Sequence, residues 1–140
     1  MILLNQMLIL TNILKFSIEL NLSDIEYALD FIYRHIKIMD LHITGNILFR
    51  QNGEMIEFII PVNKQFQSNE MFQYQKAFKL TNAVGIKHIS SLHNIPDEIK
   101  IIKKYIESNS LTAITSPYIS VHDDSLSEFD LFIGISENML

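Results

Sequence analysis

The residues best suited to chemistry gather in "GIKHISSLHNIPDE", residues 85 to 98, which holds His88, Ser90, Ser91 and His93. Three kinds of chemistry fit these types. His88 and His93, joined by His122, would make a three-histidine metal site if the fold brought their strands together. Ser90 or Ser91 beside His93 offers a nucleophile and a base, and Asp123-Asp124 beside His122 offers a cation site or an acid–base pair. The spacings favour plainer readings. His88 and His93 are five apart across a turn, and His35 and His42 belong to another part of the chain. No G-x-S-x-G elbow surrounds the serines, and a solvated hairpin tip accounts for the aspartates. Gly45, Gly53, Gly85 and Gly134 are isolated, so no glycine-rich loop cradles a phosphate. The sequence thus assigns no catalytic residue, no metal ligand and no cofactor, and the expectation is a non-enzymatic protein.

The elements that must position these residues are two helices and the strands around them. "SDIEYALDFIYRHIKIM" carries Ile25, Ala28, Leu29, Ile32 and Ile36 at helical spacing, with Ser23 and Glu26 in the pattern of a capping box. "NIPDEIKIIKKYIESN" has Asn94 as a cap, Pro96 in the first turn, Asp97 and Glu98 at the positive end, and a stripe of Ile99, Ile102 and Ile106. "ILKFSIEL" precedes the first helix. "NILFRQ" and "MIEFIIPV" follow it, with the hairpin signal Asn52-Gly53 between them. "VGIKHISS" precedes the second helix, and "YISVHD" and "EFDLFIGIS" follow it.

Each half therefore reads strand, helix, strand, strand. A shift of 73 residues sets "SDIEYALDFIYRHI" on "PDEIKIIKKYIESN", "ITG" on "SPY", and "EMIEFIIPV" on "SEFDLFIGI", pointing to an internal duplication. The fold class expected is α+β: a duplicated β-α-β-β unit forming one antiparallel sheet with two helices on one face. The pseudo-repeat halves span about 7–62 and 80–136, with a linker at 63–79. Strand alternation puts Phe129, Leu131, Ile133 and Ile135 against the helices, with Ile56, Phe58, Ile60 and Val62 as their counterparts. It leaves Glu57, Ile59, Pro61, Asp130 and Phe132 on an open face, a reasonable place for a ligand or a partner segment.

Composition limits the partners. The 140 residues are 48% hydrophobic and 19% charged, a globular balance with room for a core. A net charge of -5 repels phosphate backbones, and Lys100, Lys103 and Lys104 read as a solvated helix face, so no nucleic acid is expected. There is no cysteine, which excludes disulfides and thiolate metal sites. The opening "MILLNQMLILTNILKFSIEL" is broken by Asn5, Gln6, Thr11 and Asn12, too polar for a membrane span, and it lacks the basic start of a secretory signal. A cytoplasmic location follows as the expectation.

"KHISSLHNIPDEIKIIKKYIESNSLTAITSPYISVHDD…SEFDLFIGIS" resembles the second half of a GyrI-like (SHS2-duplication, bacterial effector-binding) domain. The shared pattern is a strand ending in His, a turn into a helix, Pro-Tyr opening a strand, and a last strand of acidic-apolar-aromatic-apolar type. That last pattern stands at Asp130-Leu131-Phe132-Ile133 and again at Glu57-Phe58-Ile59-Ile60. The resemblance implies a cleft for apolar or cationic small molecules with an acidic residue in it, Glu57 or Asp130, and with Tyr118 and His122 nearby. The absence of Trp departs from an aromatic drug cage, and the length leaves no room for a DNA-binding domain. Size, the central "YIESNSLTAITSPYISV" and the "EFDLFIGIS" ending are also similar to short stand-alone GyrI-like proteins encoded in type VII secretion loci of Gram-positive bacteria. That similarity implies a chaperone or adaptor whose partner is a secreted substrate or a secretion component, and the apolar "MILL" agrees with a protein partner or a homodimer. The leading expectation is therefore a protein-binding adaptor or chaperone. The alternative is a small-molecule binder, and the third reading is an enzyme using His88, His93 and His122. The ligand-binding or partner-binding residues expected are Glu57, Ile59, Tyr118, His122, Asp130 and Phe132.

Overall fold

The computed structural model describes residues 1–122 and 126–137. The Asp123-Asp124 pair lies outside the described residues. In chain order the elements are β1 (Leu3–Glu19), α1 (Ile25–Ile38), β2 (Ile47–Asn52), β3 (Met55–Pro61), β4 (Gln73–Ile89), α2 (Ile95–Ser108), β5 (Leu111–Ala113), β6 (Tyr118–Val121) and β7 (Phe129–Glu137). The ladders described below are all antiparallel, and the α+β class is the one the sequence predicts. The chain divides into two compact units: a contiguous one, Leu10–Phe78, and a composite one, Met1–Ile9 with Lys79–Leu140.

In the contiguous unit β3 is the central strand. It pairs with β1 from Ile13↔Pro61 to Glu19↔Met55 and with β2 from Leu48↔Ile59 to Asn52↔Met55. Because Asn52 already pairs with Met55, the two-residue loop is Gly53-Glu54, one position beyond the Asn52-Gly53 expected. Gly53 takes φ +66 and Glu54 does not turn positive, the pattern of a type II′ hairpin whose twist suits the flanking strands. Helix α1 buries Ile25, Ala28, Leu29, Ile32 and Ile36, the stripe its spacing predicts. Phe16, Phe31 and Phe72 pack together beside it with ring centroids 5.3 to 6.4 Å apart.

In the composite unit the central strand is β7, which pairs with β4 (Ala83↔Gly134 to Ile89↔Phe129), with β6 (Tyr118↔Phe132 to Val121↔Phe129) and with β5 (Leu111↔Glu137 to Ala113↔Ile135). Helix α2 buries Ile95, Ile102 and Ile106, while Ile99 is half-buried. Both helices are entered through a single 3-10 turn, at Leu22–Asp24 and Leu92–Asn94. That turn changes the caps. Ser23 and Asn94 lie within the turns and form no side-chain cap; Ser91, one residue before its turn, accepts the His93 N–H instead. Both helices leave through a left-handed residue, Asp40 and Ser110, each at φ 56.

These recurrences stand 70 residues apart, not 73: Leu3 and Gln73, Ile25 and Ile95, Asp40 and Ser110. The 73-residue shift holds for β3 and β7 alone. The connection from Gln51↔Ile56 is three residues shorter than the one from Val121↔Phe129, so the offset grows only at the last strand. The strands are also longer than expected. β1 starts at Leu3, because Asn5 and Asn12 take up positive φ (55 and 54) inside the strand rather than breaking it, as Asn tolerates better than most residues. β4 starts at Gln73, so the expected linker at 63–79 ends seven residues earlier than its composition implies.

The second face of the central strands is not open. Ile59 is 2% exposed, Phe132 3%, and Tyr118 and Asp130 7% each. Two glycines account for part of this cover. Gly85 pairs with Phe132 and leaves space for its ring: a Cβ on Gly85 would meet Phe132 Cδ1 at 2.9 Å and the Leu131 carbonyl at 3.2 Å. Gly134 likewise receives Leu80, whose Cδ1 would lie 2.7 Å from an added Cβ. Gly85→Ala should therefore cost about 1–3 kcal/mol through overpacking. Urea unfolding measures it; an unchanged midpoint would show that the ring yields without loss.

Candidate functional site

Glu57 and Asp130 hold equivalent stations on β3 and β7, and the two units treat them differently. Glu57 stands opposite Ser17 on β1 and Arg50 on β2 in an unbroken ladder. Its carboxylate meets Arg50 Nε at 3.0 Å and Lys15 Nζ at 3.7 Å, so two permanent cations already offset it.

Asp130 has Ser120 opposite it on β6, where the contiguous unit has Arg50. On the β4 side the register steps from Ile86↔Leu131 to Ile89↔Phe129, so Lys87 and His88 together oppose the single Asp130. This is a β-bulge. His88 adopts φ 62 within it, and the N–H that the bulge removes from the ladder donates to Asp130 Oδ1 at 3.1 Å. The other partner is His122, next after β6, whose Nε2 lies 2.8 Å from Asp130 Oδ1 and whose Nδ1 lies 2.7 Å from Glu128 Oε2. Glu128 Oε1 reaches His88 Nδ1 at 3.3 Å, and the two imidazoles stand 5.8 Å apart. The His122 main chain ties in as well, its N–H donating to the Glu128 carbonyl.

The result is a closed set of two carboxylates and two imidazoles, drawn from β4, β7 and the residues just after β6 and just before β7. Asp130 is the buried member, His122 partly covers it, and Glu128 and His88 form the exposed rim. Each nitrogen of His122 faces a carboxylate oxygen, and only the doubly protonated ring can donate at both. The inner contact is close but poorly directed. Nε2 is buried and 2.8 Å from Asp130 Oδ1, yet the two form no aligned hydrogen bond.

Of the residues expected from sequence, the fold brings together Asp130, His122, Tyr118 and Phe132. Tyr118 pairs with Phe132 on the same faces of β6 and β7 as Ser120 and Asp130. Glu57 and Ile59 belong to the contiguous unit. His93 does not join His88 and His122; its N–H is bound by Ser91, and it forms no ion pair among the described residues. No group of three or more His, Asp or Glu side chains among those residues is arranged to hold a metal ion. Sequence reasoning missed Glu128, which bridges both histidines. Its only signal was an acidic residue two before Asp130, just ahead of β7. Two hollows in the contiguous unit, of about 510 Å³ beside Glu19 and Glu54 and about 410 Å³ beside His35 and Phe72, are lined by none of the expected residues.

Asp130→Ala should cost about 1–3 kcal/mol, because the buried His88 acceptor and the inner partner of His122 go together. Glu57→Gln should cost about 1 kcal/mol or less, its partners being partly in water. Chemical denaturation of the two variants separates these costs; a larger loss at Glu57 would reverse the assignment.

No family model matches the chain, and no curated protein matches it in sequence. Among solved structures it is similar to the EcmrR C-terminal domain, with a TM-score of 0.70 and 18% identity over 95% of this chain and 97% of that one. It is similar to EcmrR in a DNA complex, with a TM-score of 0.71 and 16% identity, and spans 58% of that chain's length. A hydrolase from Listeria innocua is similar at a TM-score of 0.58 and 11% identity, over 94% of this chain and 90% of that one. At these identities the likeness is one of fold, and it is consistent with the GyrI-like fold that the sequence resembles. No helix among the described residues is long and apolar enough to cross a membrane.

Proposed function

We propose that the protein is a non-enzymatic small-molecule-binding module whose composite unit receives a positively charged, partly apolar ligand at Asp130. One observation carries this reading: Asp130 is a buried carboxylate that pairs with no Lys or Arg among the described residues, only with imidazole and a backbone N–H. Its counterpart Glu57 is already matched by Arg50 and Lys15. A buried acid lacking a permanent cation is costly unless something positive is supplied. Tyr118 and Phe132, buried on the same strand faces, give the site its apolar surroundings. The likeness to the EcmrR C-terminal domain supports the fold on which the reading stands. The Listeria protein's description as a hydrolase adds no reaction at this level of identity.

Thermal unfolding with benzyltrimethylammonium and longer-chain quaternary amines tests the reading. A ligand at a hundred times its Kd should stabilise the native state by about 2.7 kcal/mol. Asp130→Asn should abolish that gain while keeping the wild-type circular dichroism spectrum. Equal stabilisation of both forms would remove Asp130 from the site.

A second reading, the protein-binding adaptor or chaperone, has its own observation: Leu4, Met7 and Ile9 on β1 are each about half exposed, at 48%, 59% and 54%. The partner would be a second copy or another protein in the cytoplasm. The structural neighbours lend no support to a link with secretion. Native mass spectrometry distinguishes a bound polypeptide from a small organic adduct. Although EcmrR is seen with DNA, the net charge of -5 leads us to leave nucleic acid out of the proposal. Fluorescence anisotropy with duplex DNA at low salt should show no binding.

A further inference from the structure

We infer that this site exchanges a ligand cation for a proton: a cation taken up at Asp130 drives His122 to its neutral form and expels the proton to solvent. The inference rests on the ligand reading above. It follows from the positions of the charges. His122 places one nitrogen 2.8 Å from Asp130 and the other 2.7 Å from Glu128, so the ring, when protonated, is a cation held between the two acids.

Among the described residues, the charged and titratable groups around it are few on every side. From β4 come His88, in contact with Glu128, and the exposed Lys87 beside it in the bulge. Asp130 comes from β7 and Glu128 from the residue just before that strand, and from β6 comes the phenol of Tyr118, two residues from Ser120.

With both imidazoles neutral the two acids leave the cluster at −2, and each imidazole proton removes one unit of that charge. A monocation and an imidazolium therefore compete for the same carboxylates at contact distance, where like charges repel most. His122 stands in front of the buried acid, with its side chain 26% exposed against 10% for Asp130. A cation approaching from solvent on that side meets the ring first. The poor alignment of the inner Nε2–H eases the exchange, since no directed hydrogen bond is broken when the proton leaves.

No bond to carbon forms or breaks in this exchange. One positive charge enters, one proton departs from a His122 ring nitrogen to buffer, and the net charge of the site is unchanged. Linkage then requires affinity for the cation to rise with pH, by up to about tenfold per pH unit where one full proton is exchanged, and to level off once the ring is neutral.

Isothermal titration calorimetry of the full chain with benzyltrimethylammonium, from about pH 6 to about pH 8.5 across the histidine range, tests this. Each pH is run in two buffers of different ionisation enthalpy. The expected result is a buffer-dependent heat reporting up to one proton released, with weaker binding on the acid side. His122→Gln, which keeps a polar side chain but no titrating ring, should bind with an affinity nearly independent of pH and should exceed wild type at the acid end. Wild-type binding of equal affinity at both ends, without buffer-dependent heat, overturns the exchange while leaving the ligand site standing. A His122→Gln protein that keeps the full wild-type pH dependence also overturns it. Absence of binding at every pH removes the ligand reading itself, and the exchange with it.

Discussion

A carboxylate on a covered face of a strand that is hydrogen-bonded on both sides is cut off from water, and positive charge or N–H donors must reach it there. Both units of this protein place one at that position. The contiguous unit solves the problem with permanent charge, Arg50 from one neighbouring strand and Lys15 from the other. The composite unit has Ser120 in place of Arg50 and reshapes its backbone instead. A bulge in β4 turns the His88 N–H onto Asp130, and His122 swings over from the end of β6. Elsewhere the two units share their solutions closely: a 3-10 entry, an isoleucine stripe at matching positions, and a left-handed exit at Asp40 and Ser110.

That difference sets the kind of partner each acid has. A guanidinium keeps its charge at any working pH, whereas an imidazole gives up its charge within the physiological range. The same acidic station, repeated in sequence, thus meets permanent cations in one unit and imidazole in the other. Gly85 and Gly134 leave room for Phe132 and Leu80 beside the strand pair that carries Asp130.

What could be read in the sequence was what depends on local period. The α1 stripe of Ile25 to Ile36 and the inward residues of β3 and β7 follow from spacing of 3.6 and 2, which needs no knowledge of partners. What could not be read depends on pairing. The burial of Phe132 is decided by a glycine 47 positions away, and the meeting of His88 with Asp130 by a single-residue slip in β4. Neither leaves a local trace. The repeat was visible but misplaced. The last strand carries the plainest pattern, and its three-residue insertion set the offset for elements that recur at 70. Asn5 and Asn12 looked like interruptions, although their tolerance of positive φ lets β1 continue through them.

The division of the chain bears on the order in which it is made. Residues 10–78 form one unit without a break, so on a ribosome that unit has its whole sequence available while the rest is still being added. The composite unit draws Met1–Ile9 from the start of the chain and everything else from Lys79 onward. Its first segment, with Leu4, Met7 and Ile9 exposed even in the finished fold, must wait through the synthesis of the intervening unit for its partners. During that interval the segment lacks the strands of its own unit, all of which are added later.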